Sequence, residues 1–151
     1  MKNVLISSCL YGEKCRYDGK DSLLEGLDKI KQLCKLFPVC PEVLGGLSTP
    51  RNPSEIVGER IVMNNGKDVT HEYKKGAKIA LETAIEAGCC AALMKAKSPS
   101  CGNGKVYDGT FSKTLTEGDG ITVRLLRKNG IRVFDETQIV DFLKYISEEE
   151  K

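Results

Sequence analysis

Four short apolar runs recur along the sequence, at residues 3–8, 36–39, 89–95 and 131–134. Aliphatic side chains dominate each run, without strict alternation of polar and apolar positions. This pattern is typical of parallel strands that are buried on both faces of a sheet. Serine, proline or aspartate stands at or near the end of each run and indicates a turn. The runs therefore predict four buried strands.

Amphipathic segments separate these runs. Apolar residues recur at three- and four-residue spacing over residues 23–33, which predicts a helix capped by Asp21 or Ser22. The clearest helical pattern covers residues 70–87, with Thr70 as the expected cap.

Two further helices are expected in the second half of the chain. Gly88 is expected to end the helix of residues 70–87. The first of the two further helices is predicted at residues 121–128. The last helix contains the apolar positions of residues 139–146, follows a cap at Asp135 or Thr137, and precedes a charged tail.

Turn-forming residues mark the remaining segments. Asn64-Asn65-Gly66 predicts a β-hairpin between residues 60–63 and 67–69. Residues 42–55, rich in glycine and proline, are expected to form an ordered loop. Residues 102–119 predict a long functional loop or lid, since structureless loops beyond ~12–15 residues are uncommon in compact domains.

The order of these elements indicates the fold class. Strands that alternate with helices form a mostly parallel sheet with helices on both faces. We therefore expect an α/β fold, a three-layer Rossmann-like sandwich with a small β-hairpin insertion. At 151 residues, the chain has the size of a single domain spanning residues 1–151.

Charge and hydropathy exclude several classes of protein. The 23 basic and 21 acidic residues give a formal charge of only +2 and form no basic block, which argues against a nucleic-acid partner. No apolar stretch approaches the ~20 residues of a membrane span. No signal peptide is recognisable at the N-terminus. We expect a cytoplasmic protein, a monomer or small homo-oligomer.

Seven cysteines are many for such a chain. The number is odd and the cytosol keeps thiols reduced, so a disulfide framework is a poor explanation. Metal binding or thiol chemistry fits better.

Three of the cysteines follow predicted strands. Cys9, Cys40 and Cys101 each stand where a run ends, beside serine, proline or glycine. Ligands of open α/β sheets gather outside the carboxyl ends of the strands. The three thiols are therefore expected to meet in one site and to hold a metal or an iron–sulfur cluster with one open coordination position.

The other cysteines are assigned by their surroundings. Cys15 is the main rival ligand, because it shares a loop with Cys9. Cys34, Cys89 and Cys90 are expected to pack in the core, with Cys89 and Cys90 on opposite faces of one strand.

Several polar residues lie close to the three cysteines in sequence. Glu42 is a candidate general acid or base, with capping of a turn as the alternative role. Ser100 can polarise a ligand atom or stabilise its turn. The candidates for ligand binding are Ser8, Arg51, Lys97 and Tyr107. The alternative for Ser8 and Tyr107 is to stabilise a turn, and the alternative for Arg51 and Lys97 is a solvated surface charge. His71, the only histidine, has no partner at ligand spacing and is expected at the surface.

These residues fall into four blocks that resemble the DUF523 family. The blocks are Cys9–Gly19, Cys40–Arg51, Lys97–Gly102 and Tyr107–Phe111, and they occur in the family's order. The characterised branch of that family is the thiouracil desulfidases.

The resemblance implies an enzyme with a particular cofactor. A [4Fe-4S] cluster would be held by Cys9, Cys40 and Cys101, with one iron free of protein ligands. That iron would bind the sulfur of a thiolated pyrimidine such as 4-thiouracil, and hydrolysis would release hydrogen sulfide without net redox change. Glu42 would move protons and Ser100 would polarise the substrate, a small-molecule thiolated nucleobase.

Two other classes of function remain open at this point. One is a sensor or binding module that holds a metal or cluster without turnover. The other is a thiol-based redox enzyme in which Cys9 or Cys101 is the nucleophile.

Overall fold

A four-stranded parallel sheet forms the centre of the molecule. The computed structural model describes residues 1–148. All four strands of this sheet are parallel, in the order β2-β1-β5-β8. Their bounds are Asn3–Ser7 for β1, Lys35–Val39 for β2, Ala91–Met94 for β5 and Arg132–Asp135 for β8. Two antiparallel pairs lie outside the sheet: β3 (Ser54–Val57) with β4 (Arg60–Met63), and β6 (Lys105–Tyr107) with β7 (Leu115–Glu117).

Helices cover both faces of the main sheet. Helices α1 and α5 pack on one face, and α3 and α4 pack on the other. No helix within residues 1–148 is long and apolar enough to span a membrane. The helices are α1 (Leu27–Leu33), α2 (Pro41–Leu44), α3 (Thr70–Glu86), α4 (Ile121–Lys128) and α5 (Ile139–Ser147), the last preceded by a 3₁₀ turn at Glu136–Gln138.

Alternate side chains of the central strands enter two separate cores. Val4 and Ile6 contact the α1–α5 side, whereas Leu5 between them contacts the α3–α4 side. All three side chains are fully buried. The lack of polar alternation in the sequence is thus explained by burial on both faces. The expected three-layer α/β architecture is confirmed.

The first helix begins later than its sequence pattern predicts. It starts at Leu27 after Gly26, and Asp21 instead accepts a hydrogen bond from the Leu23 amide in a turn. The amide of Leu24 donates to the Leu10 carbonyl at 2.9 Å, which holds this segment against the preceding loop. Tertiary contact therefore overrides the helical periodicity here.

The predicted hairpin insertion is present, but it is formed by β3 and β4 rather than by residues 60–63 and 67–69. Strand β4 pairs with β3, the preceding strand, through the turn at Gly58-Glu59. After Asn64-Asn65-Gly66 the chain returns with only one isolated bridge, between Val62 and Asp68. The Asn-Gly prediction was correct for a turn and wrong for the partner strand.

Three other local predictions need correction. Residues 42–55 contain α2 and the start of β3, and residues 102–119 contain β6 and β7. Thr70 is the first residue of α3 rather than its cap, and the Asp68 carboxylate accepts the Thr70 amide at 2.9 Å. Asp135 caps the 3₁₀ turn before α5, with its carboxylate accepting the Thr137 amide, whereas α5 itself starts after Gln138 without a side-chain cap. Most of the charged tail, residues 149–151, lies outside the described residues.

Two glycines allow the short helix α2 to lie directly against α3. A Cβ atom on Gly76 would stand 1.7 Å from the Pro41 carbonyl oxygen. One on Gly45 would stand 1.9 Å from the Glu72 carbonyl oxygen. Backbone therefore contacts backbone, and the residues of α2 are held at a set distance from α3.

We expect Gly76→Ala to lower the free energy of unfolding by about 2–3 kcal/mol, the cost of overpacking a tight contact. Helix propensity alone predicts the opposite sign, a gain of up to about 1 kcal/mol. Urea unfolding measures the difference, with Lys75→Ala at the neighbouring exposed position as control. A stabilised Gly76→Ala variant would contradict the close contact.

Candidate active site

Three strand ends of the main sheet meet at one cavity. Strand β1 lies between β2 and β5, so the segments that follow these strands are neighbours. Cys9 follows β1, Cys40 follows β2 and Cys101 lies in the loop after β5. All three cysteines line a cavity of about 430 Å³. The expected convergence of the three segments on one cavity is therefore observed.

Hydrogen bonds hold the cysteine-bearing loops in place. The Ser98 hydroxyl accepts the Cys101 amide at 2.7 Å. The Ser7 hydroxyl accepts the Lys95 amide at 2.9 Å, which ties the ends of β1 and β5 together. The Ser8 amide donates to the Val39 carbonyl at 2.7 Å, which continues the pairing of β1 with β2. These contacts make the site a rigid extension of the sheet.

A fourth thiol, that of Cys15, lines the same cavity. It lies close to the Cys9 and Cys40 thiols. The Cys40 thiol also contacts the Cys15 carbonyl, with sulfur and oxygen 3.8 Å apart. The loop from Cys9 to Cys15 thus brings a second sulfur to the site, in agreement with Cys15 as the rival ligand.

Burial helps to keep the Cys40 and Cys101 thiols protonated in the protein alone. It raises the pKa of Cys101 to about 12, and the nearby Glu42 carboxylate adds to this. A hydrogen bond to Cys15, together with burial, raises the pKa of Cys40. Thiolate ligation of a metal in this site must therefore release protons.

The donor chemistry of the cavity thiols is compatible with an iron–sulfur cluster. Within residues 1–148, no group of three or more His, Cys, Asp or Glu side chains is arranged to hold one metal ion. In an iron–sulfur cluster each iron takes its own thiolate, so the sulfurs need not converge on one point. Soft sulfur donors around a cavity match that requirement.

Glu42 lies in the first turn of α2 and lines the cavity. Its Oε2 atom accepts a hydrogen bond from Arg51 Nη2 at 2.9 Å and one from the Tyr73 hydroxyl at 3.1 Å. The Glu42 side chain is only 14% exposed. Two donors on one oxygen hold the carboxylate at the edge of the cavity.

Arg51 lines the cavity, and its guanidinium is bound by protein groups and almost fully buried, so it is not a solvated surface charge. Its two terminal nitrogens bond to the Cys15 carbonyl, the Glu42 carboxylate, the Ser48 carbonyl and the Thr49 hydroxyl. Four of the five guanidinium donors are thus used within the protein. Arg51 therefore joins the Cys15 loop to Glu42. Its remaining donor, Nε, is buried and has no hydrogen-bond partner among residues 1–148.

Ser100 differs from its expectation. Its side chain is fully buried, and its hydroxyl lies 2.7 Å from the Thr122 hydroxyl at the start of α4. Ser100 does not line the cavity, so its position supports the structural alternative rather than contact with a ligand.

The remaining candidates, Ser8, Lys97 and Tyr107, line the cavity as expected. Lys97 has a φ of 74°, in the left-handed region that residues other than glycine rarely adopt. Such backbone strain concentrates at functional sites.

Several other cavity residues were not singled out from the sequence. Some lie inside the four blocks: Arg16, Tyr17, Ser98 and Phe111. Others lie outside the blocks and carried no recognised sequence signal: Glu55, Asn64 and Lys113.

The cysteines assigned to the core lie away from the cavity. Cys34 is buried in the core on the α1–α5 side. Cys89 contacts the core on the α3–α4 side, and Cys90 packs against the opposite one. His71 is exposed, as expected.

The loop between β6 and β7 is tied down beside the cavity by a buried carboxylate. Glu55 in β3 is 8% exposed, and one of its oxygens accepts the amides of Gly109 and Phe111 at 3.0 and 3.2 Å. Phe111 and Lys113 from this loop line the cavity. The segment predicted as a lid is therefore a hairpin fastened to β3.

We expect Glu55→Ala to loosen this loop. A hydrogen bond to a charged group contributes about 1.5–3 kcal/mol, so amide exchange over residues 108–113 should quicken at least about tenfold. Hydrogen–deuterium exchange with mass spectrometry measures this, with Glu59→Ala in the exposed turn as control. Unchanged protection in Glu55→Ala would refute the fastening role.

Comparison with known proteins agrees with this geometry. The chain matches a family model described as 2-thiouracil desulfurase over residues 4–138. The uncharacterized protein YbbK of Bacillus subtilis (strain 168) is 42% identical over 150 residues, covering 93% of this chain and 99% of YbbK.

A solved structure resembles the whole fold. That of the [4Fe-4S]-dependent thiouracil desulfidase TudS has a TM-score of 0.93 and 40% sequence identity, and the match covers 97% of this chain and 99% of TudS. Most of the chain is thus shared with both relatives, including the strands that deliver the three cysteines. The protein belongs to the 2-thiouracil desulfurase family, also known as DUF523.

Proposed function

We propose that the protein is a desulfidase that removes sulfur from a thiolated pyrimidine such as 4-thiouracil. The observation that carries the proposal is the meeting of Cys9, Cys40 and Cys101 with Glu42 at one cavity. The resemblance to TudS, which is [4Fe-4S]-dependent, supports the same chemistry. The reaction is a hydrolysis: water oxygen bonds to the ring carbon, the carbon–sulfur bond breaks and hydrogen sulfide leaves. No oxidant or reductant is consumed.

Cys9, Cys40 and Cys101 would hold a [4Fe-4S] cluster. When bound, the cluster supplies a Lewis-acidic iron without a protein ligand, to which a soft thiocarbonyl sulfur is suited. The three cysteines come from adjacent strand ends and have anchored backbones, which favours them as the ligand set. Cys15 lies on the intervening loop and is left as a neighbouring thiol.

Glu42 would move the protons of the hydrolysis. It takes a proton from the attacking water and gives one to the departing sulfur, so the carboxylate is regenerated in each cycle. The low exposure of its side chain strengthens this electrostatic assistance. Arg51 holds the carboxylate at the cavity edge through its 2.9 Å contact.

Three cavity residues would bind and orient the substrate. Ser8 offers a hydroxyl beside Cys9, Lys97 offers an ammonium group, and Tyr107 offers a ring and a hydroxyl. A flat thiolated base needs an aromatic or apolar wall and a few polar contacts at its edge. Ser100 contributes only by supporting the loop that carries Cys101.

Anaerobic reconstitution with iron and sulfide, followed by incubation with 4-thiouracil, tests the proposal. We expect about four irons per chain, thiolate-to-iron absorption at about 400 nm and conversion of 4-thiouracil to uracil. A cluster without conversion of any thiolated base would favour a sensor or binding module. Activity without iron would favour a thiol enzyme.

A further inference from the structure

A buried tyrosine stands directly behind Glu42. The Tyr73 hydroxyl donates to Glu42 Oε2 at 3.1 Å, from the first turns of α3. Tyr73 is 2% exposed and does not line the cavity, so it does not touch a ligand there. Its sequence position, 31 residues after Glu42, gave no hint of this contact.

The contact depends on how closely α2 and α3 approach. Gly76 lies against the Pro41 carbonyl and Gly45 against the Glu72 carbonyl, so the two backbones are in direct contact at residues just before and just after Glu42. The α2 backbone that carries Glu42 is therefore held at a set distance from α3, which carries Tyr73. Burial, and after it the charge of Glu42, raises the pKa of Tyr73 well above its usual value, so the phenol remains a donor.

The two donors use only one oxygen of the carboxylate. Arg51 and Tyr73 both bond to Oε2, at 2.9 and 3.1 Å. Oε1 has no hydrogen-bond partner among residues 1–148 and is left for water or substrate. Rotating the carboxylate would break both bonds, and hydrogen bonds to a charged acceptor are stronger than neutral ones.

We propose that Tyr73 is a positioning residue for the reaction, which acts through Glu42 by holding Oε2 so that Oε1 faces the cavity. This inference rests on the proposed proton transfer by Glu42. It differs from a merely structural role, in which the phenol would matter only for folding.

The Tyr73→Phe variant tests the role, because phenylalanine keeps the buried ring and removes only the donor. In the reconstituted enzyme we expect kcat with 4-thiouracil to fall about tenfold or more, with KM and iron content unchanged. Tyr145→Phe, which alters a tyrosine packed on Phe134 on the opposite side of the sheet, is the matched control and should leave kcat unchanged.

A double-mutant cycle and a spectroscopic measurement complete the test. In the Glu42→Gln background, Tyr73→Phe should change kcat little, because the pair acts as a unit. Infrared difference spectra of the protein without iron, referenced to Glu42→Gln, should show a shifted carboxylate band in Tyr73→Phe, since the band reports loss of the hydrogen bond.

The outcomes separate this inference from the proposed function. If Glu42→Gln is as active as the parent protein, the proton-transfer role fails and the inference falls with it. If Glu42→Gln is slow but Tyr73→Phe matches the parent in kcat, only the inference is overturned. The inference would also be overturned if Tyr73→Phe lost stability or iron while its kcat per iron stayed unchanged. It would likewise be overturned if Tyr73→Phe lowered kcat equally in the parent protein and in the Glu42→Gln variant.

Discussion

Cys101→Ala is expected to abolish both iron binding and desulfidase activity, and Cys9→Ala and Cys40→Ala should do the same. After anaerobic reconstitution, iron should fall from about four per chain to background, because a ligand lost from a set of three cannot be replaced by alanine. Cys101 is especially sensitive, since it is 4% exposed and its amide is held by Ser98. Iron analysis and the absorption spectrum, read beside activity, measure the effect.

The other cysteines provide matched controls for this prediction. Cys89→Ala and Cys90→Ala remove thiols that pack on opposite faces of the sheet, away from the cavity, and should retain the iron. Cys15→Ala should retain it as well, although Cys15 lines the cavity. Iron loss in Cys15→Ala together with iron retention in one of the three strand-end variants would reassign the ligands.

Glu42→Gln is expected to lower kcat about 10²- to 10⁴-fold while the cluster stays in place. The range is the usual contribution of a general acid or base. Glutamine keeps the shape of the side chain and can still accept from Arg51 and Tyr73, but it cannot take a proton from water. Steady-state kinetics with 4-thiouracil, normalised to iron content, measures the loss.

An exposed carboxylate on the neighbouring loop controls for a change in net charge. Glu13 is exposed and does not line the cavity, so Glu13→Gln should leave kcat unchanged. Equal activity of Glu42→Gln and Glu13→Gln would remove Glu42 from the mechanism. The fall in kcat without a fall in iron is therefore the decisive combination.

Local sequence patterns were sufficient for the plan of the fold. Short uninterrupted apolar runs between turn signals are typical of strands in a sheet covered on both faces, and the separate cores that contain Leu5 and Ile6 agree with this. The carboxyl ends of parallel strands share one edge, so the proximity of Cys9, Cys40 and Cys101 could be predicted from the sequence. Their convergence on one cavity is observed, whereas their roles as ligands stay predictions.

Local patterns failed in two places. The Asn64-Asn65-Gly66 turn formed, yet β4 paired with β3 through the turn at Gly58-Glu59, a competing hairpin that is equally local. The helix predicted from residue 23 begins at Leu27, because Leu24 is held by the Leu10 carbonyl. Only in the second case did a tertiary contact outweigh a local preference.

The same distinction applies to the site. The sequence by itself determined the fold class, the family and the edge of the sheet at which the thiols gather, since strand period and motif order are local properties. Only the tertiary structure decided which polar side chains face the cavity. It turned Ser100 towards Thr122, engaged Arg51 with Glu42, and brought Tyr73 behind that carboxylate. Such contacts join residues far apart along the chain, and their geometry is set by helix packing that no local pattern encodes.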